Sequence, residues 1–281
     1  MNQAIVFGKY DHLVGVANIA QATTKKSTEQ VAMILITAGM LHNVGPFRLY
    51  VDIANSLETQ GISSLRFDIS GIGESLGVGS SGKSIERAAS EASEAMDYLS
   101  ENHGIKKFVV FGLCSGADDS VQTALNDERV IGVITLDGLG YKTPKFARNQ
   151  RLFLAKKILL FNNWKSKISS ITGLKPPPVS LAVGGDIREF PETAEQASKE
   201  IQQLVDRGTQ LHFIYTGGTD YYNYAKQLYD MLPYVNWKGT ESTRYFPHMD
   251  HVILLCEDRQ EMVAEITTKT LKMAVRVKEV A

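Results

Sequence analysis

Residues 106–120 read KKFVVFGLCSGADDS, an apolar run that leads into a turn with glycines two residues either side of Cys114. This G-x-C-x-G spacing is typical of the sharp strand-to-helix turn that lifts a nucleophile above the end of a sheet, here with cysteine in place of serine. Glycines at Gly112 and Gly116 would relieve the crowding that side chains would cause in such a turn. The stretch therefore predicts a buried strand, a strained Cys114 and a helix that begins directly after it.

The composition is that of an ordinary globular protein. The chain has 281 residues, of which 43% are hydrophobic, and a net charge of −1, which gives no global reason to expect nucleic-acid binding. Two cysteines in this length favour a reducing compartment over a disulfide framework. The first residues lack a basic segment followed by an apolar run, and no stretch has the ~18 apolar residues of a membrane span. We expect a cytoplasmic protein with no transmembrane segment.

Short apolar runs alternate with helical patterns along most of the chain, which predicts a mostly parallel central sheet flanked by helices. Residues 1–30 fit an antiparallel hairpin at the edge of that sheet. The expected buried strands are 31–37, 62–70, 106–112, 129–137 and 211–216. Apolar stripes predict helices around 50–57, 85–99 and 259–278.

The residue at the centre of the turn is the candidate nucleophile. A cysteine at a helix N-terminus is favoured as thiolate, and a neighbouring histidine would favour it further. The alternative, that Cys114 is only a small buried side chain, leaves both glycines unexplained. Ser115 is a rival nucleophile that lies one residue outside the glycine frame, and its backbone N–H is a candidate oxyanion donor. Cys256 falls in an apolar run and is expected in the core.

A nucleophile of this kind needs a base and an acid that orients the base. In the chain order nucleophile, acid, histidine, the base is His251 or His248, and position just before an apolar helix favours His251. The acid is expected at Asp220, in a glycine loop after a buried strand, where a helix N-cap is the alternative role. Asp137, at the end of the strand that follows the turn, is the alternative acid.

The second oxyanion donor is expected in the loop after the first central strand. Gly39 permits close approach of the backbone there, so the Met40 N–H is the candidate, and His42 would line the same pocket. Outside the loop at 248–251, no cluster of histidines and carboxylates has the spacing of metal ligands, and the chemistry needs no cofactor.

These motifs resemble those of the α/β-hydrolase superfamily over nearly the whole chain. The segment RFDISGIGES at 66–75 together with GLCSGA at 112–117 is similar to the serine-aminopeptidase-like branch, and within it to hydrolases encoded beside bacterial exopolysaccharide and exosortase systems. Superfamily members with cysteine at the nucleophile position include dienelactone hydrolases and polyhydroxyalkanoate synthases. The resemblance thus implies either hydrolysis or acyl transfer.

Residues 138–191 interrupt the alternation and divide the chain into a core of 1–137 and 192–281 and an insert. From 138 to 178 the insert has nine Lys and Arg and no Asp or Glu. In the resembled fold such an insert is a helical lid over the nucleophile. Its charge fits three interpretations: a solvated face, a docking surface for an acidic carrier protein or coenzyme A, or contact of the stretch around Trp164 with an anionic membrane.

Three functions are open at this point. The first is a hydrolase that cleaves a small ester, thioester or lactone through an acyl-cysteine, with Cys114, His251 and Asp220 as the triad and the N–H groups of Met40 and Ser115 as the oxyanion hole. The second is an acyltransferase that uses the same residues to pass an acyl group to an alcohol or amine. The third is a non-catalytic binding protein on a hydrolase scaffold.

Overall fold

A single eight-stranded sheet organises the part of the chain that the computed structural model describes, which is residues 2–21, 31–77, 83–160 and 190–279. Its spatial order is β1-β2-β4-β3-β5-β6-β7-β8. The strands are β1 (Asn2–Phe7), β2 (Leu13–Asn18), β3 (Val31–Ile36), β4 (Ser63–Phe67), β5 (Lys107–Leu113), β6 (Val130–Leu136), β7 (Gln210–Thr216) and β8 (Glu241–Phe246).

The pairing confirms a mostly parallel sheet with an antiparallel hairpin at one edge. Strands β1 and β2 form the hairpin, and β2 also runs antiparallel to β4. From β4 to β8 every neighbouring pair is parallel. The carboxyl ends of six strands therefore lie along the same edge, where ligand sites of such sheets form.

Helices cover both faces of the sheet. They are α1 (Leu49–Thr59), α2 (Ser84–His103), α3 (Ser115–Asn126), α4 (Pro144–Leu160), α5 (Ala194–Asp206), α6 (Gln227–Met231) and α7 (Cys256–Glu279). One apolar cluster joins the sheet to α2, α3 and α5, and a second joins it to α1 and α7. Each face thus has its own core, as the alternating sequence pattern predicts.

Small side chains let α2 lie close to the sheet. The alanines of its apolar stripe, Ala88, Ala92 and Ala95, are fully buried. The helix ends at Gly104, which has φ of 67°, the left-handed conformation that glycine adopts without cost.

Helix α4 lies inside the predicted insert, and residues 161–189, with Trp164, lie outside the described residues. Among the residues that are described, no helix has the length and apolar character needed to cross a membrane.

Candidate active site

Cys114 occupies the turn between β5 and α3, at the carboxyl edge of the sheet. Its φ of 55° and ψ of −121° lie outside the ordinary regions for a residue with a side chain. Such a conformation costs on the order of 1–3 kcal/mol and persists only where the surroundings enforce it. The thiol side chain is half-buried, so it is accessible from the edge of the sheet.

The two flanking glycines are required by close backbone contacts. A Cβ atom on Gly112 would lie 1.9 Å from the carbonyl oxygen of Gly116, and one on Gly116 would lie 2.6 Å from the carbonyl oxygen of Ile36. Neither position has room for any side chain. The glycine spacing in the sequence therefore reflects close backbone contacts in this turn that leave no space for a side chain.

A buried tyrosine ties the turn to the neighbouring strand β3. The Tyr50 hydroxyl donates to the Ile36 carbonyl oxygen at 2.9 Å and accepts from the Leu113 N–H at 3.2 Å. Burial raises the pKa of Tyr50 well above its usual value, so the hydroxyl stays protonated. The sequence predicts Tyr50 only as part of an apolar helix stripe, because the partner of a hydroxyl group cannot be inferred from periodicity.

His251 is held by Asp137. Its Nδ1 lies 2.8 Å from Asp137 Oδ2, and the carboxyl group is fully buried. The same carboxylate accepts the Thr216 N–H and the Thr216 hydroxyl, each at 2.7 Å. Asp137 is thereby fixed in one orientation, and its oxygen selects the ring nitrogen that carries a proton.

The other side of the imidazole contacts the nucleophile candidate. His251 hydrogen-bonds the Cys114 side chain, and since Nδ1 is bonded to Asp137, Nε2 is the nitrogen available to the sulfur. The Asp137 hydrogen bond, followed by the Cys114 hydrogen bond, raises the pKa of His251 to about 9, against the opposing effect of burial. The ring is therefore charged at neutral pH in this arrangement.

The glycine pair after β7 allows the histidine loop to reach Asp137. A Cβ atom on Gly217 would lie 2.2 Å from the Pro247 carbonyl oxygen, and one on Gly218 would lie 2.2 Å from the His251 nitrogen. This loop therefore packs backbone to backbone against the loop that carries His251. Its glycines serve close packing, and the loop does not present an acid to the imidazole.

Asp220 does not contact His251, so the expectation that Asp220 orients this histidine was wrong. The carboxylate that contacts the imidazole is that of Asp137. The Asp220 side chain is 83% exposed and pairs with Lys142 at 3.0 Å. It lies in the irregular segment before α6, where it also does not cap a helix. Asp220 lies four residues beyond Thr216 and is exposed to solvent, whereas Asp137 directly follows the last residue of the adjacent strand β6.

His248 faces away from the thiol. Its Nε2 lies 3.6 Å from Asp258 and 3.7 Å from Glu261, both on α7, and the side chain is exposed. The choice of His251 over His248 as the histidine nearest Cys114 therefore agrees with the geometry.

One candidate oxyanion donor, Ser115, directly follows Cys114, and the loop of the other, Met40, is hydrogen-bonded to Ser115. Ser115 is the first residue of α3, so its N–H has no acceptor within the helix. Its hydroxyl accepts the Gly39 N–H at 2.7 Å, which joins the loop after β3 to the turn. The Leu41 N–H donates to the Ala38 carbonyl, so a tight turn places Met40 at its third position, where the N–H is not used by the turn. The Met40 side chain itself is 85% exposed.

The segment 66–75 supports this loop from behind. Asp68 accepts the Asn43 N–H at 2.5 Å and the Asn43 side-chain amide at 2.9 Å, and Arg66 donates to the same amide's oxygen. A Cβ atom on Gly73 would lie 2.3 Å from the Asp68 carboxylate. The 66–75 part of the resemblance is therefore hydrogen-bonded to the loop that contains Gly39, Met40 and Asn43 and fixes its position, and it contributes no group to the candidate triad.

Two further expectations have different outcomes. Cys256 was expected in the core, but it is the exposed first residue of α7, so this expectation was wrong. In the insert, Lys142 pairs with Asp220, and Lys145 lies over the Tyr224 ring at 4.4 Å. Docking of an acidic carrier or coenzyme A on this insert stays a prediction.

No family model and no curated protein matches the chain. Solved structures do match it along almost its whole length. An esterase from Pyrococcus furiosus has a TM-score of 0.60 at 14% identity, covering 97% of this chain and 90% of that one. A proline iminopeptidase from Mycobacterium smegmatis has a TM-score of 0.59 at 12% identity, covering 99% and 100%.

An α/β serine hydrolase without a lid from Xanthomonas campestris has a TM-score of 0.55 at 13% identity, covering 98% of this chain and 94% of that one. At these identities the likeness concerns the fold. Together with the strand order, it establishes that this chain has the α/β-hydrolase fold.

Proposed function

We propose that the protein is a hydrolase that cleaves an ester, thioester or lactone through an acyl-cysteine intermediate on Cys114. The observation that carries the proposal is the continuous hydrogen-bonded series from Asp137 through His251 to the thiol of Cys114. Solved structures of esterase, peptidase and serine hydrolase type share the fold, which supports hydrolysis as the general reaction.

The first half-reaction forms the acyl-enzyme. The Cys114 thiol gives its proton to His251, whose protonated form is stabilised by the buried Asp137 carboxylate. The thiolate attacks the carbonyl carbon, and the oxygen that becomes negative accepts hydrogen bonds from the N–H groups of Ser115 and Met40. His251 then gives its proton to the departing alcohol or thiol, which leaves a thioester on Cys114.

The second half-reaction releases the acid. His251, now neutral, takes a proton from water as the water attacks the thioester carbonyl. The tetrahedral intermediate collapses with cleavage of its carbon–sulfur bond, the acid leaves, and the Cys114 thiolate and protonated His251 are restored. Every proton transfer uses the Nε2 face of the imidazole, because Nδ1 remains bonded to Asp137 throughout.

Ser115 is a poor alternative nucleophile in this arrangement. Its hydroxyl oxygen accepts the Gly39 N–H, and the residue is buried within the first turn of α3. The imidazole hydrogen-bonds Cys114. Activation by a base therefore favours the sulfur.

Intact mass spectrometry of wild type, Cys114→Ala and Ser115→Ala tests the proposal. Each protein is exposed to short acyl esters, lactones and acyl thioesters, and free acid is measured in parallel. We expect an acyl adduct and acid release for wild type and Ser115→Ala, and neither for Cys114→Ala. An equal adduct on Cys114→Ala would refute the nucleophile, and an adduct that is released only by an added alcohol or amine would identify acyl transfer.

A further inference from the structure

The loops that border Cys114 present an unusual number of apolar side chains to solvent. We call this surface the apolar rim. It consists of Met40, Leu41 and Phe47 after β3 and of Val252, Leu254 and Leu255 after His251. Resting on the function proposed above, we propose that the rim binds an apolar acyl chain of medium or greater length, so that the substrates are esters or thioesters of fatty-acid type.

Both halves of the rim begin at residues of the candidate site. Met40 follows Gly39, whose N–H is held by the Ser115 hydroxyl. Val252 directly follows His251, whose ring contacts both Asp137 and Cys114. The two loops that carry the rim are therefore both tied directly to the candidate site, and the proposed acyl chain lies against them.

An arginine joins the two halves into one surface. The Arg259 guanidinium lies over the Phe47 ring, 5.5 Å from its centroid. The same group donates to the Ile253 carbonyl oxygen at 3.2 Å and to the Leu254 carbonyl oxygen. Phe47 is thereby held next to the loop of Leu254, and the apolar groups are continuous across the gap between the loops.

The exposed fractions of the rim side chains are large for apolar residues. Met40 is 85% exposed, Phe47 50%, Leu254 53% and Leu255 59%. Single exposed apolar side chains are common on soluble proteins, but a contiguous group of them next to a reactive side chain marks a binding surface. Each methylene that leaves water on such a surface is stabilised, so a long apolar chain gains more than a short one.

Several charged groups on or beside the same loops have partners within the protein. The Asp250 carboxylate accepts the Val252 N–H at 2.9 Å and the Leu254 N–H at 3.0 Å. His248 lies beside carboxylates of α7, and Arg259 donates to backbone carbonyl oxygens of the loop that precedes α7. The rim side chains themselves are apolar, so an apolar acyl chain that covers them displaces no hydrogen bond.

The test is a chain-length series with acyl groups of two, four, eight and twelve carbons, presented as thioesters below their micelle concentrations. The rim variant is Leu254→Ser with Leu255→Ser. Its matched control is Val6→Ser, an equally exposed apolar residue on the edge strand β1.

In wild type we expect kcat/KM to rise by about two- to fourfold per methylene up to eight carbons. In the rim variant the eight-carbon value should fall at least tenfold while the two-carbon value stays within twofold, and the control should match wild type.

A flat chain-length profile in active wild type would overturn the rim proposal, and so would a rise that persists in the rim variant. A preference for long chains that appears only with phospholipid vesicles, and is lost with vesicle binding in the variant, would make the rim a membrane contact and also overturn the rim proposal.

Calorimetry of octanoate and acetate with Cys114→Ala tests the rim without catalysis. We expect tighter binding of octanoate that is lost on adding the two serines, and equal binding of the two acids would refute the rim even if the thiol proves inactive.

Discussion

Asp137 Oδ2 and His251 Nδ1 lie 2.8 Å apart although the two residues are separated by 114 positions in the chain. The aspartate directly follows β6, beside the strand that leads to Cys114, and the histidine lies on the loop after β8. Their contact brings the imidazole over the thiol, and it decides which carboxylate of this protein stabilises imidazolium.

The two candidate acids can be compared by matched substitutions. Asp137→Asn should lower kcat/KM by about 10³- to 10⁴-fold, because the imidazole loses both its charge partner and its fixed tautomer. Asp220→Asn should change it less than threefold, since that side chain is exposed and bonded to Lys142. Hydrolysis rates of both variants on one thioester show which carboxylate supports His251. A larger loss of rate in Asp220→Asn than in Asp137→Asn would contradict the role proposed for Asp137.

His251 should titrate far above an ordinary histidine. Its pKa of about 9 in the folded protein exceeds the unfolded value of 6.5, so its charge contributes stability that is fully present below about pH 6.5 and is lost as the pH rises through 9. Nuclear magnetic resonance of the imidazole protons should give a midpoint near 9 in wild type and a clearly lower one in Asp137→Asn. Urea unfolding should show the advantage of wild type over His251→Asn shrinking between pH 6.5 and 9.5. An unchanged midpoint in Asp137→Asn would show that the pair does not govern the charge.

Glycine substitutions should separate crowding from backbone preference. Gly112→Ala places a methyl group within 1.9 Å of a carbonyl oxygen and should lower the free energy of unfolding by about 3 kcal/mol or more. Gly104→Ala has the same kind of change at a left-handed helix end with open space around it, and should cost only about 1 kcal/mol. Chemical unfolding of both variants measures the difference, and equal losses would argue against the crowding of the turn.

Removing one hydroxyl should loosen the turn. Tyr50→Phe leaves the Leu113 N–H without its acceptor and should lower the free energy of unfolding by about 1–3 kcal/mol. A displaced Cys114 should also lower kcat, by up to about 10²-fold, with little change in KM. Tyr234→Phe, at an exposed tyrosine, is the control. Full stability and full activity in Tyr50→Phe would show that the hydroxyl does not position the nucleophile.

The sequence by itself predicted the parallel sheet, its edge hairpin and the strained turn at Cys114. These features depend on local patterns: apolar strands of five to seven residues, and glycines whose spacing matches contacts within one turn. It also favoured His251 over His248 from the order of the last strand and helix, and His251 is the histidine that contacts Asp137 and Cys114.

Only the tertiary structure showed which carboxylate contacts the imidazole, because Asp137 and Asp220 both follow buried strands and carry the same group. Which one meets the imidazole depends on how the loop at Gly217 and Gly218 packs against the histidine loop, and that contact joins residues distant in sequence. The hydrogen bonds of the Tyr50 and Ser115 hydroxyl groups and the apolar rim could not be predicted from the sequence for the same reason. A sequence shows which groups are present, but hydrogen-bond partners and solvent exposure are fixed only when separate loops meet at one edge of the sheet.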